Sequence, residues 1–477
     1  MNMNNNLPRA RLVGAGILLM SICLSRSVSA QCEVIMLEPP ELRDQDRYGT
    51  SVDIQGDTII VGAPGWDRDN PRPGYADVFR KHKGVWRHEA RLSSPIGYPT
   101  DLFGSSVLLV NDLALIAAPR DFDGRVNVGN LYVFKRSGKQ WNLREQLKTT
   151  LYGFSTSLAT DGQRVVMGST SAGHVLVYKL RGKKLILMQE LRSWDCTFPC
   201  WTSTFGSAVA IDGDRIIVGH MGYWVIGGNG LGAAYIFRFN ETTQSFVQEA
   251  KLLPTGFQPY LFGIDVEIAG DVAMVSQENQ FIPDVQVFKA EGSQWSLEQR
   301  IFPPHIGGFL PAITLEGSKL LIASHTCNLE DIPWTPCITG RAHLYRSDPE
   351  TGQWSHELPM RVDGLFPDNE VPPISGRSIK MDGDVAVMGS PGSTFNAVRS
   401  GLAFVFTGLD SRDENNNDVP DACDISGDIT GDGRADVSDL LALLGAWGSC
   451  NQCAADLDQS GSVNVTDLLI LIAAWKS

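Results

Sequence analysis

The sequence predicts an all-β body, a seven-bladed β-propeller, followed by a small helical module with acidic loops. Three observations predict it. One phrase recurs seven times along the chain, as it does in proteins built from stacked repeats. The 48 glycines and 25 prolines of the 477 residues, against a charged fraction of 20%, favour many turns between short strands over long helices. Near the C-terminus a second phrase that starts at Asp428 returns at Asp456.

The long phrase opens on an aromatic residue and glycine and runs through alternating apolar residues to a Gly-Asp turn. After the turn comes an apolar run with a Gly-Ala-Pro-like end. It is plainest from Tyr48-Gly49 through Asp57 to Gly62-Ala63-Pro64. It returns from Phe103-Gly104 to Ala118-Pro119, Phe154 to Gly168, Phe205-Gly206 to Gly219, Phe262-Gly263 to Val275, Phe309 to Ala323 and Gly376 to Pro391. Each copy continues with a variable loop, a strand such as Tyr132-Val133-Phe134, and a Trp-containing segment such as Trp141 to Leu147. Four antiparallel strands cannot bury both faces alone, so the copies must stack radially as propeller blades. The seventh copy ends at Ala403-Phe404-Val405-Phe406 without its last strand, while Cys32 to Glu41 has the character of last strands elsewhere. One blade is therefore expected to be built from both chain ends.

Residues 1–30 read as a secretory signal: Arg9 and Arg11, the apolar stretch Leu12 to Leu24, then Val28-Ser29-Ala30 as a cleavage site. That stretch is too short to span a bilayer comfortably, so no membrane span is expected. Without Cys23 the mature chain keeps eight cysteines, the arithmetic of disulfides in an exported protein. Cys196 and Cys200, Cys327 and Cys337, and Cys450 and Cys453 are close in sequence, and Cys32 and Cys423 remain; zinc is the weaker reading, since no histidine stands nearby. Residues 413–477 hold twelve Asp or Glu against two Lys or Arg, whereas the whole chain is only −14. An acidic tail behind a nearly balanced body argues against nucleic acid as a partner.

In the tail, Asp428, Asp432, Gly433 and Asp439 fall on Asp456, Ser460, Gly461 and Asp467. A hard cation takes oxygen ligands from the first, third, fifth, seventh, ninth and twelfth positions of a twelve-residue loop, with glycine at the sixth for the turn. The donors expected in loop one are Asp428, Thr430, Asp432, the Arg434 carbonyl, Asp436 and Asp439. In loop two they are Asp456, Asp458, Ser460, the Ser462 carbonyl, Asn464 and Asp467. The ion expected is calcium. One helix follows each loop, carrying Leu440, Leu441, Leu443, Leu444 and Trp447, then Leu468, Leu469, Leu471, Ile472 and Trp475 as an apolar stripe.

The aromatic-Gly start and the Gly-Ala-Pro end resemble FG-GAP repeats, the blade units of integrin-type propellers, over roughly residues 31–408. That resemblance implies a binding or adhesion platform for a protein or glycan. It also implies blade calcium loops, for which Asp121, Asp123 and Gly124, and Asp67 and Asp69, are the candidates beside the plain reading of acidic turns. The duplicated loop-helix layout of residues 428–477 resembles a type I dockerin, which implies a cohesin-like or cell-surface protein partner. Where dockerins usually carry small hydroxyl residues, at loop positions ten and eleven, this chain has Val437-Ser438 and Val465-Thr466. Between the two lies an acidic linker, 409–427, in which Asp413, Asn415, Asn417, Asp421 and Asp424 resemble a thrombospondin type 3 calcium repeat. The competing picture is a disordered spacer.

The sequence contains no Gly-x-Ser-x-Gly elbow, His-Glu-x-x-His, Walker loop or dinucleotide fingerprint. The expectation is accordingly a secreted calcium-binding protein without enzymatic activity. The alternative is a component of extracellular polysaccharide degradation, which would need an acid and base pair of carboxylates in a cleft.

Overall fold

In the computed structural model, the residues described are 34–41, 43–65, 72–98, 101–122, 127–148, 154–169, 173–193, 204–222, 231–256, 261–278, 283–304, 312–324, 341–360, 362, 376–393, 400–412, 427–430, 435, 437–449, 453–458 and 460–475. The segment read as a signal, the blade calcium candidates Asp67, Asp69, Asp123 and Gly124, and the acidic linker from 413 to 426 lie outside them, whereas Asp121 is in a strand and pairs with Val128.

The body is a seven-bladed propeller of four-stranded antiparallel sheets. Blade 1 comprises Ser51–Gln55, Thr58–Ala63, Tyr75–His82 and Val85–Ser93, and blade 2 comprises Val107–Val110, Leu113–Phe122, Asn127–Ser137 and Gln140–Lys148. Blade 3 comprises Phe154–Thr160, Arg164–Ser169, His174–Arg181 and Lys184–Leu191, and blade 4 Phe205–Asp212, Arg215–His220, Ala233–Asn240 and Ser245–Leu252. Blade 5 has Val266–Ala269, Val272–Gln277, Asp284–Glu291 and Gln294–Ile301, and blade 6 Ala312–Glu316, Lys319–Ser324, Arg341–Ser347 and Trp354–Met360. Blade 7 takes Ser378–Asp382, Val385–Ser390 and Leu402–Thr407 from the end of the body and its outer strand, Ile35–Met36, from the beginning. Ile35 pairs with Val405 and Met36 with Phe404, so the ring closes where the sequence predicts.

Burial explains the order of strands. The second strand of blade 1, Thr58–Ala63, is buried throughout, whereas its fourth, Val85–Ser93, alternates toward solvent. In six blades the third and fourth strands slip register at one equivalent place, as at Val78/Phe79 and Val287/Phe288, and such bulges add twist to the outer strand. Four of the aromatic residues that open the repeats, Tyr48, Phe103, Phe205 and Phe262, are fully buried between blades. Each such ring contributes roughly 2–3 kcal/mol of apolar burial. Two tryptophans of the last strands fasten neighbouring blades: Trp141 Nε1 donates to Glu89 at 3.1 Å and Trp295 Nε1 to Glu249 at 2.8 Å.

The glycines of the repeat mark the tightest contact between blades. A Cβ on Gly62 would lie 2.0 Å from the Gly104 carbonyl oxygen of the next blade, and one on Gly389 would lie 2.0 Å from that of Gly49. At four junctions, Gly62 with Gly104, Gly168 with Gly206, Gly219 with Gly263 and Gly389 with Gly49 at the seam, the opening glycine of one copy thus sits against the closing glycine of the copy before it.

The first strands of successive blades touch one another around the ring and enclose a central channel of about 450 Å³. Their residues alternate between the channel and the neighbouring blade, which places Asp53, Glu267 and Lys380 among the channel-lining side chains.

Candidate metal site

The C-terminal module is built on helix α1, Val437–Gly445, and helix α2, Val465–Ala474. A short antiparallel pair, Gly448–Ser449 with Ser462–Val463, ties the segment after α1 to loop two. Ala435, Leu443, Ala455, Val463 and Leu471 form its core, with Leu440, Leu468 and Trp475 packed against them. Cys453 is disulfide-bonded; the other cysteines lie outside the described residues.

Loop two brings its acids together. Ligand oxygens of Asp456, Asp458 and Asp467 lie within 4.8 Å of one another. Gly461 sits at φ +85°, the left-handed turn that lets the chain double back beneath them. Asp467 is held from two sides: Oδ1 accepts from the Asp458 N–H at 3.1 Å and Oδ2 from the Asn464 N–H at 2.8 Å. Burial pushes its carboxyl up, but the N–H groups of Asn464, Asp458 and Leu457 prevail and hold it below the usual carboxylate range. It is therefore a preformed anion at the head of α2, where it also completes a capping box with Asn464. The Ser462 carbonyl accepts from Ser460 Oγ at 3.1 Å and Asn464 Nδ2 at 3.0 Å, so both polar neighbours surround the expected seventh-position donor. Asn464 Oδ1 accepts the Thr466 N–H at 2.8 Å and is committed to capping the helix.

Loop one repeats the arrangement at its ends. Asp439 Oδ1 accepts from the N–H groups of Ile429 and Thr430 at 2.8 and 2.9 Å and from Thr430 Oγ1 at 2.9 Å. Asp428, Thr430 and Asp439 belong to the described residues; Asp432, Arg434 and Asp436 lie outside them. Three carboxylates, a hydroxyl and a carbonyl around one turn form an all-oxygen donor set, which suits a hard dication.

The helices differ from the single stripe expected of them. Leu443 and Leu471 face the core, while Leu441 and Leu444 on α1 and Leu469 and Ile472 on α2 are more than half exposed or at that limit. Val437 and Val465 are 58% and 59% exposed, and Leu441 and Leu469 are 66% and 60% exposed. Residues three apart lie on one face of a helix, so 440 and 443 form one apolar row and 441 and 444 another. Only the first row is covered within the module.

Residues 33–79 and 86–134 match the FG-GAP repeat family, and residues 426–474 match the Dockerin type I domain. The seven-bladed propeller thus carries FG-GAP repeats, and the C-terminal module is a dockerin type I domain. The dockerin is a calcium-binding docking module, of a kind that binds cohesins and occurs in extracellular or cell-surface proteins. No curated protein matches the chain in sequence.

Among similar solved structures is a "putative 6-phosphogluconolactonase" from Bacteroides uniformis, 13% identical, with a TM-score of 0.46 over 70% of this chain and 89% of that one. Another of that description, from Bacteroides fragilis, is 13% identical, with a TM-score of 0.44 over 74% and 99%. The WD40 repeats of RRP9 are 10% identical, with a TM-score of 0.49 over 80% and 98%. These matches correct the expectation of a chain without enzymatic activity, since propellers described as enzymes stand among them. The physical reason is that a propeller assembles a site from loops and strands of different blades, which leaves no local motif in the sequence. At these identities the likeness assigns no activity to this chain.

Sequence reasoning did not find the charged side chains of the channel. The available signal was positional: Asp53, Glu267 and Lys380 each stand two residues before the last pair of the first hairpin. No helix among the described residues is long and apolar enough to cross a membrane.

Proposed function

We propose that this chain is an exported protein that loads calcium into both dockerin loops and thereby presents the outward apolar rows of α1 and α2 to a cohesin-like or cell-surface protein partner. The observation that carries this reading is the convergence of Asp456, Asp458 and Asp467 directly below α2, whose far side exposes Leu469 and Ile472. A dication neutralises the three carboxylates and fixes the start of the helix, so the apolar row is ordered only when the loop is loaded. Asp456, Asp458, Ser460, the Ser462 carbonyl and Asp467 supply ligands in loop two, and Asn464 acts as the cap. The corresponding set in loop one is Asp428, Thr430, Asp432, the Arg434 carbonyl, Asp436 and Asp439. Residues 1–30 direct export, and the eight remaining cysteines form disulfides. The docked body is the propeller of residues 31–408, which holds a protein or glycan at its loop face; residues 409–427 are the tether.

The test is a calcium titration of the full chain by calorimetry, followed by surface binding to a panel of cohesins with and without calcium. Saturable calcium uptake at two loops, halved by Asp428→Ala or Asp456→Ala, and calcium-dependent cohesin binding support the reading. Calcium uptake without any cohesin binding removes the cohesin and keeps the metal site; no uptake at millimolar calcium removes both.

A further inference from the structure

The channel of the propeller carries an ionic arrangement that the blade repeat does not require. At equivalent positions most first strands offer residues such as Leu108, Leu158 and Ala210, but blade 1 offers Asp53, blade 5 Glu267 and blade 7 Lys380. Lys380 Nζ donates to Glu267 Oε1 at 2.7 Å. These two blades are not neighbours, since blade 6 lies between them, so the ion pair spans the channel rather than a blade junction. Asp265, just ahead of the first strand of blade 5, adds a second carboxylate to that side, and Asp53 adds a third from blade 1.

The same carboxylates grip the next blade. Asp53 Oδ2 accepts the Leu109 N–H at 2.6 Å, and Asp265 Oδ2 accepts the Ile313 N–H at 2.9 Å. At the turn end of the channel, Asp212 accepts from Gly270 at 2.7 Å, Glu316 from Gly383 at 2.9 Å, and Asp382 from Gly56. Blades 1 to 2, 4 to 5, 5 to 6, 6 to 7 and 7 to 1 are thus joined through a carboxylate. Blades 2 and 3 present only Leu108, Leu109, Leu158, Ala159 and Thr160 to the channel, with no charge among them. Among the described residues lining the channel, Lys380 is the single cation.

We propose that Lys380, with Glu267, Asp265 and Asp53, forms a proton-sensitive latch across the channel that tightens the closed ring in mild acid and slackens it above neutrality. Burial raises the carboxyl of Asp265 to about 7 and that of Asp53 to about 6, against an ordinary value of 3.8. Burial would lower Lys380, but Glu267 and Asp265 outweigh it and raise its ammonium, so the cation persists throughout. The sign follows from linkage. With folded values above the unfolded ones, the folded chain holds more protons between about pH 4 and 7, so this contribution to stability is greatest in mild acid and is lost as pH rises through 6 and 7. Lys380 offsets part of the cost of the ionised carboxylates; without it they hold their protons to higher pH.

The test follows thermal unfolding of the full chain, at fixed calcium, from pH 5 to 8.5, alongside the infrared band of protonated carboxyl groups in the folded state. In the unsubstituted protein the propeller transition is expected to rise as pH falls from 8 to 5.5, with a protonated-carboxyl band present near pH 6. Asp265→Asn should flatten the rise and remove most of the band, and Lys380→Met should move the onset of both to higher pH. Equal slopes in the unsubstituted protein and Asp265→Asn, or no such band at pH 6, overturns the latch. An onset unmoved by Lys380→Met removes the lysine from it. If a variant does not fold, the infrared titration of the unsubstituted chain decides alone.

Discussion

Replacing Gly62 by alanine tests whether the repeat glycines exist for contact between blades. The new methyl group would lie 2.0 Å from the Gly104 carbonyl oxygen and 2.3 Å from Ser51 Oγ, so blade 2 must move outward. Forcing a group into a packed junction costs roughly 1–3 kcal/mol. The movement also stretches the hydrogen bond from Ser51 Oγ to the Gly104 oxygen, now 2.9 Å, which is worth about 1 kcal/mol. The expected loss is about 2–4 kcal/mol in denaturant unfolding followed by tryptophan fluorescence. Gly84→Ala is the matched control. Gly84 has φ +82° with open space around its Cβ position, so that change costs only the left-handed strain, about 1–2 kcal/mol. If Gly62→Ala proves no more destabilising than Gly84→Ala, the contact argument fails and the motif needs another explanation.

Further predictions concern the module and the outer rim. Asp467→Ala should abolish calcium uptake in loop two and shorten α2, because it removes a ligand and the capping-box partner of Asn464; circular dichroism during a calcium titration reads both. Leu441→Asp or Leu469→Asp should leave calcium uptake and the melting of the module unchanged while weakening partner binding at least tenfold, since both side chains face solvent. Glu249→Gln should destabilise the propeller by about 1–3 kcal/mol, measured by denaturant unfolding, because its carboxylate receives Trp295 Nε1 at 2.8 Å and lies 3.6 Å from buried Arg215.

How far the sequence could be read depended on how local each signal was. The seven copies, the borrowed outer strand and the paired loops all rest on residues close together in the chain or on a phrase that repeats, so Ile35 against Val405 and Asp456 beside Asp467 were foreseeable. The meaning of the repeat was less accessible. Gly62 looks like a turn residue in sequence, yet its partner is Gly104 in the next blade.

By itself the sequence determined the propeller, its closure by both chain ends and an oxygen-rich calcium loop at the C-terminus, because period, turn residues and ligand spacing are written along the chain. Only the tertiary structure decided that Lys380 meets Glu267, 113 positions away across the channel, and that Leu441 and Leu469 remain uncovered. Closing a ring brings one position of every first strand to a common axis, and packing two helices covers one row of each. Neither outcome is a property of any single segment, so neither can be read from one.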